Sequence, residues 1–165
     1  MRWLARQIHD YFNEPPQSSD PYADLPFEMT LPPGWQPDDN PPGIPADLRS
    51  DAVFFARDPH STDPGYSSTV LVMASEPADD PHEFLDRQEA ELQPLSTQES
   101  ATFERITLPA GEALSVRGVQ ESSATIQYFL PTSLANFVIG FTTPLAELPV
   151  RQPEFEAIAR SFRLK

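Results

Sequence analysis

Three groupings of side chains in this sequence have the types and spacing for chemistry. His82 and Asp86 stand four residues apart, with Glu83 and Glu89 beside them. That spacing sets two ligands on one helical face, where a divalent metal could bridge them. Asp58, His60 and Asp63 crowd one short stretch, and carboxylates spaced in this way belong to calcium loops. The third grouping is a run of acids, Glu76, Asp79, Asp80, Glu83, Asp86, Glu89 and Glu91. It is denser than helix capping needs, and a field of that sign steers basic partners toward it.

The first two groupings have plainer explanations. His82 and Asp86 are expected on the outward face of a solvated helix. The stretch around Asp58 lacks the glycine and the closing bidentate glutamate of a calcium loop, and Asp and Pro are ordinary turn formers. No metal or other cofactor is therefore expected. No serine sits in a Gly-x-Ser-x-Gly turn, and His9, His60 and His82 all lie in polar contexts. The six glycines are scattered singly, so no loop cradles phosphate. Among 25 acids no pair is singled out by an apolar setting, so acid/base chemistry has no candidate pair. The expectation is a protein that binds rather than catalyses.

Charge narrows what it binds. The net charge is −14 over 165 residues, and it is unevenly placed. Residues 51–100 hold eleven acids against two bases, whereas residues 101–165 hold six of each. Such a field repels nucleic acid and anionic membrane and attracts basic proteins. The chain has no cysteine, which removes disulfides, thiol catalysis and thiolate metal sites together. Charges stand where the apolar stretch of a signal peptide would begin, no lipoprotein cysteine exists, and no apolar run approaches the roughly 20 residues of a membrane span. These features predict a cytoplasmic location. Ten arginines against one lysine, with abundant Pro, Ala and Asp, suit a GC-rich bacterial genome.

The elements that would position these residues are legible as periodicities. Residues 1–24 read as a short helix over 2–12, with Leu4 and Ile8 on one stripe, followed by a Pro- and Ser-rich linker. Phe27, Met29 and Leu31 alternate with Glu28 and Thr30 as a first strand, stopped by Pro32-Pro33-Gly34-Trp35. Residues 36–50 hold four prolines and read as a loop. Strands at 53–56 and 69–74 flank a hairpin loop over 58–65. Asp80-Pro81-His82-Glu83 then gives an N-cap, a first-turn proline and an acid at N3. Phe84, Leu85, Gln88 and Leu92 form the inward stripe of that helix, and Pro94 limits it. Strands follow at 102–108, 112–119, 123–130 and 136–142. Pro153 opens a final helix with Phe155, Ile158, Ala159 and Phe162 on one face.

Short turns between strands imply antiparallel pairing. The predicted fold is α+β: one antiparallel sheet of about six or seven strands flanked by helices, an α/β/α sandwich over residues 25–165. Several of its pieces resemble the PsbP-like family, which is shared by a photosystem II extrinsic subunit, a Ran-binding import factor of the Mog type and many small bacterial proteins. The resemblance is carried by Leu31-Pro32-Pro33-Gly34-Trp35 after the first strand and by Pro81-His82-Glu83-Phe84-Leu85 after the third. At the close it is carried by Tyr128-Phe129-Leu130, Phe137 to Pro144 and the stretch Phe155 to Phe162. It implies a family of non-enzymatic adaptors, assembly factors and secretion-associated chaperones. On this reading the chain binds a protein partner that is basic or carries an exposed apolar segment. Glu76, Asp79, Asp80, Glu83, Asp86 and Glu89 are the candidate contacts. The alternative is an acidic immunity or inhibitor protein that neutralises a basic toxin by charge complementarity.

Overall fold

The central strands of this chain carry apolar side chains on both faces, so each face of their sheet needs a cover. The computed structural model describes residues 25–38, 51–60, 67–94 and 100–165. The elements run β1 (Phe27–Glu28), β2 (Gln36–Pro37), β3 (Ala52–Arg57), β4 (Thr69–Ser75), α1 (Pro81–Leu92), β5 (Thr102–Leu108), β6 (Gly111–Val119), β7 (Ser123–Pro131), β8 (Asn136–Pro144), α2 (Leu148–Ser161) and β9 (Arg163–Leu164). Seven strands form one antiparallel sheet in the order β2-β3-β4-β8-β7-β6-β5.

The two helices cover opposite faces of this sheet. On β7, Ala124, Ile126, Tyr128 and Leu130 join the core under α2, whereas Phe129 joins Phe84 and Leu85 of α1. Leu114 and Val116 of β6 complete the smaller cluster under α1. Phe155, Ile158, Ala159 and Phe162 are all essentially inaccessible, so the predicted apolar face of the last helix is its packing face. Phe155 stacks on Phe141 of β8 at 4.7 Å between centroids, and Phe162 stacks on Phe27 at 4.9 Å. The α/β/α sandwich predicted from the sequence is the fold observed.

Local signals behave as the residue types dictate. The Asp80 carboxylate accepts from the backbone N–H groups of His82 at 2.8 Å and Glu83 at 3.2 Å, which satisfies two of the donors a helix start leaves open. In Pro32-Pro33-Gly34-Trp35 the Trp35 N–H reaches the Pro32 carbonyl, and Gly34 takes φ +96°. That is a type II turn, with proline at its second position and glycine where φ must be positive. Trp35 is thereby delivered to the core edge, its indole N–H donating to Glu154 Oε1 at 2.8 Å.

Three expectations need correction. The first strand does not extend over 27–31 in the main sheet. It stops at Glu28 and pairs with β9 in a separate two-stranded ladder, Phe27 opposite Leu164. The Thr30 N–H goes to the Ser161 hydroxyl at 2.9 Å, because beyond Arg163 the partner chain is already helical. The region read as loop from residue 36 opens with an edge strand, β2, since a proline is tolerated where no further strand needs its N–H. The last helix begins at Leu148, with Pro153 inside it. Pro149 supplies the first-turn proline, and buried Leu148 anchors the start. The predicted 2–12 helix, its linker to residue 24, and much of the loops at 36–50 and 58–65 lie outside the described residues.

Candidate functional site

The acidic run follows β4 and fills α1, so one short stretch of backbone positions all of it. Phe84 and Leu85 bury the inner face of α1 and turn Glu83, Asp86 and Glu91 outward into solvent. Before the helix, Asn136 of β8 pins the chain, its side-chain amide donating to the Glu76 carbonyl at 2.6 Å and its Oδ1 accepting from the Ala78 N–H. The Glu76 and Asp79 side chains are exposed.

The six predicted contacts fall into three classes. Asp86 and Glu89 converge on Arg105 of β5, at 2.8 Å and 3.0 Å. Arg105 is largely covered, with 28% side-chain exposure, so these two acids fasten α1 to the sheet edge as well as carrying charge. Asp80 is occupied in part by the helix cap. Glu76, Asp79 and Glu83, with Glu91 further along, carry charge outward and make no ion pair among the described residues. The surface therefore remains acidic, with its centre shifted from the Asp86–Glu89 pair toward the N-terminal end of α1.

Next to α1 on the same sheet face runs an apolar strip that periodicity alone did not single out. Phe55 lies opposite Leu71, Leu71 opposite Gly140, and Met73 opposite Val138. All of these are half-buried, and Val138 packs against the α1 cluster. The signal in the sequence was the pair Leu71 and Met73 on the odd-numbered side of Thr69–Ser75, opposite the even-numbered Val70, Val72 and Ala74 that enter the main core.

The two metal-like groupings resolve into other contacts. His82 faces Glu112 of β6, Nδ1 to Oε2 at 3.5 Å, while Asp86 is held by Arg105. Asp58 is buried, accepts from the His60 N–H at 2.9 Å and pairs with Arg151 of α2. Asp63 lies outside the described residues, among which no group of three or more His, Cys, Asp or Glu is arranged to hold a metal.

Arg151 is a polar hub that sequence reasoning missed. Its guanidinium also reaches Glu147 Oε2 at 3.3 Å and Glu154 Oε2 at 2.8 Å. Burial by itself would lower its pKa, but hydrogen bonds to Glu154, Asp58 and Glu147 outweigh that and raise it further. Ser68 extends the network, sharing a 2.8 Å hydrogen bond with Thr143 and donating to Glu147. Glu154 also accepts from Trp35. These contacts join the β3 end, α2 and the turn at Trp35, and every partner is satisfied, which is the signature of a clamp. The Glu147–Arg151–Glu154 spacing was visible in the sequence; the long-range partner, Asp58, was not.

No protein-family model and no curated protein matches this sequence. Solved structures do. The chain is similar to LpqN of Mycobacterium tuberculosis, described as involved in cell envelope biogenesis, with TM-score 0.59 and 14% identity over 84% of this chain and 83% of that one. It is also similar to cyanobacterial PsbP (CyanoP) of Synechocystis sp. PCC 6803, with TM-score 0.52 and 14% identity over 92% of this chain and all of that one. The fold is PsbP-like, as the short motifs around Trp35, Phe84 and the closing helix implied.

Proposed function

We propose that this chain is a non-enzymatic, protein-binding adaptor or chaperone of bacterial type, and that it receives its partner on the α1 face of the sheet. One observation carries the reading: an outward-turned acidic helix lies directly beside a half-buried apolar strip. Glu76, Asp79, Glu83 and Glu91 supply the field, and Phe55, Leu71, Met73 and Val138 supply contact area. A partner segment with basic residues next to apolar ones finds both chemistries on one surface. The charge governs how fast it arrives, and the apolar contact governs how long it stays. The PsbP-like fold lends a scaffold and no activity of its own.

The test is capture from the native organism at low salt, followed by salt elution and identification, with wild-type chain and a reversed variant, E76K/D79K/E83K/E91K, in parallel. The variant leaves Asp86, Glu89 and Arg105 intact, so it folds. A partner eluted by salt from the wild type and lost from the variant is the expected result. With that partner purified, its association rate constant falls by about tenfold or more in the variant at low salt. Equal capture by both chains refutes the acidic face. A captured protein whose own activity is silenced on binding moves the reading to the inhibitor of a basic toxin.

A further inference from the structure

On the α1 side of the sheet, the described elements cover only half of the face. The cross-strand rows there run unbroken: Met73, Val138, Phe129 and Leu114 in one, and Phe55, Leu71, Gly140, Gln127 and Val116 in the next. α1 packs over β6 and β7, where it covers Leu114, Val116 and Phe129. Further along the same rows Phe55, Leu71 and Met73 are half-buried, and no described helix packs over β3 or β4 on this side. The three strands β3, β4 and β8 span about 10 Å, the diameter of one helix. A helix centred between β4 and β8 stands about 10 Å from α1, an ordinary distance between packed helices.

The rim of this slot is acidic. Glu76 and Asp79 close its end after β4, Glu83 stands on the outer crest of α1, and Glu91 lies on the flank opposite Glu89. Arg87 sits among them, drawn over the Phe84 ring. One segment of the chain, outside the described residues, has the complementary chemistry. In residues 1–12, Leu4, Ile8, Tyr11 and Phe12 share a helical arc of about 100°, with Arg2 and Arg6 beyond it. The segment is net positive, two arginines against Asp10, in a chain of −14. A helix this short is marginal in water and needs a surface to lie on. Reach is sufficient. Leu25 belongs to the main core, Phe27 meets Phe137 at 5.7 Å, and Phe137 lies opposite Ala74. The described chain therefore begins at the sheet end where the acidic run starts. Residues 13–24 extend up to about 40 Å, ample to round that end from one face to the other.

We propose that residues 1–12 dock in this slot as an amphipathic helix, the apolar arc on Phe55, Leu71 and Met73 and the arginines toward the acidic rim. The segment sets basic residues next to apolar ones, the same chemistry that the α1 face asks of a partner. It therefore occupies the partner's surface from within the molecule, with the advantage in effective concentration that a short tether gives. A partner gains access only in the fraction of molecules whose segment is released. That last consequence rests on the adaptor reading; the docking itself does not.

Because the chain has no cysteine, a single nitroxide can be placed on the full chain at His9→Cys and its broadening of amide resonances mapped. The Leu71, Met73 and Gly140 amides should broaden, while those of Phe155 and Ile158 on the opposite face are spared. L4D/I8D should abolish the effect and R2E/R6E should weaken it at low salt, with unchanged α2 amide shifts verifying the fold. Broadening that is absent, that falls on the α2 face, or that persists unchanged in either variant overturns the docking. So does broadening that passes to an isotope-enriched, unlabelled copy mixed into the sample, since the segment then belongs on a second molecule. With a purified partner, L4D/I8D should bind about tenfold or more tightly where the docked form holds about 90% or more of the wild type; equal affinity overturns the competition. A chain that shows the docking but captures no partner refutes the adaptor reading alone.

Discussion

Arg151 is the residue on which three partly buried carboxylates depend. Its side chain is 16% exposed, and those of Asp58 and Glu147 are 9% and 11% exposed. Removing the cation from such a site strands the acids, a loss of about 3–5 kcal/mol. Arg151→Met should therefore lower the denaturant midpoint sharply, whereas Arg160→Met, at an exposed site, should leave it almost unchanged. Equal effects would show the clamp to be idle. Tyr128 offers a second measurement at this scale. Its folded pKa lies above the ordinary 10.0, at about 12, so the folded state favours the neutral phenol. That preference contributes fully below pH 10 and is lost as pH rises through 12. Phenolate absorbance should show one of the four tyrosines ionising about two units late, and Tyr128→Phe should remove that step. The sequence could show neither site. Arg151 to Asp58 spans 93 residues, and Tyr128 is buried only once β7 lies between β6 and β8 under α2.

At the scale of elements, periodicity carried most of the information, because burial on a two-faced sheet demands it. The closing helix shows this well. Phe155 and Phe162 each fill the space between α2 and the sheet, stacking on Phe141 and Phe27. Truncating either to alanine should cost about 3–5 kcal/mol, read as a shift in the unfolding midpoint; a near-neutral result at both would mean that α2 is not part of the core. What periodicity missed has a common cause. Strands of two residues, such as β1, β2 and β9, are too short to show alternation, and they exist because a partner elsewhere in the chain offers its backbone. The start of α2 was misplaced for a related reason: Pro149 and Pro153 both signal a first turn, and only the burial of Leu148 selects between them. The start of the acidic helix was legible to the residue, cap included. What its composition hid was that Asp86 and Glu89 spend part of their charge on Arg105.

For the whole molecule, charge is distributed against the grain of the fold. The described part of residues 51–100, with its run of acids, lies mainly on β3, β4 and α1, while the neutral last third supplies four central or neighbouring strands and α2. The acids of α1 thus share one face with few compensating cations besides Arg87 and Arg105. At −14 overall the folded chain repels itself more than the expanded one does, because folding draws like charges together. Added salt shortens the reach of this repulsion from about 30 Å at 0.01 M to about 3 Å at 1 M. The melting temperature should therefore rise with sodium chloride across that range, in contrast to a protein held by surface ion pairs. The E76K/D79K/E83K/E91K variant, less acidic by eight charges, should melt higher than wild type at low salt and converge with it at high salt. A melting temperature that falls with salt, or a variant that gains nothing at 0.01 M, would mean that the acids are paired in the folded chain and that the field proposed to attract a partner is already spent.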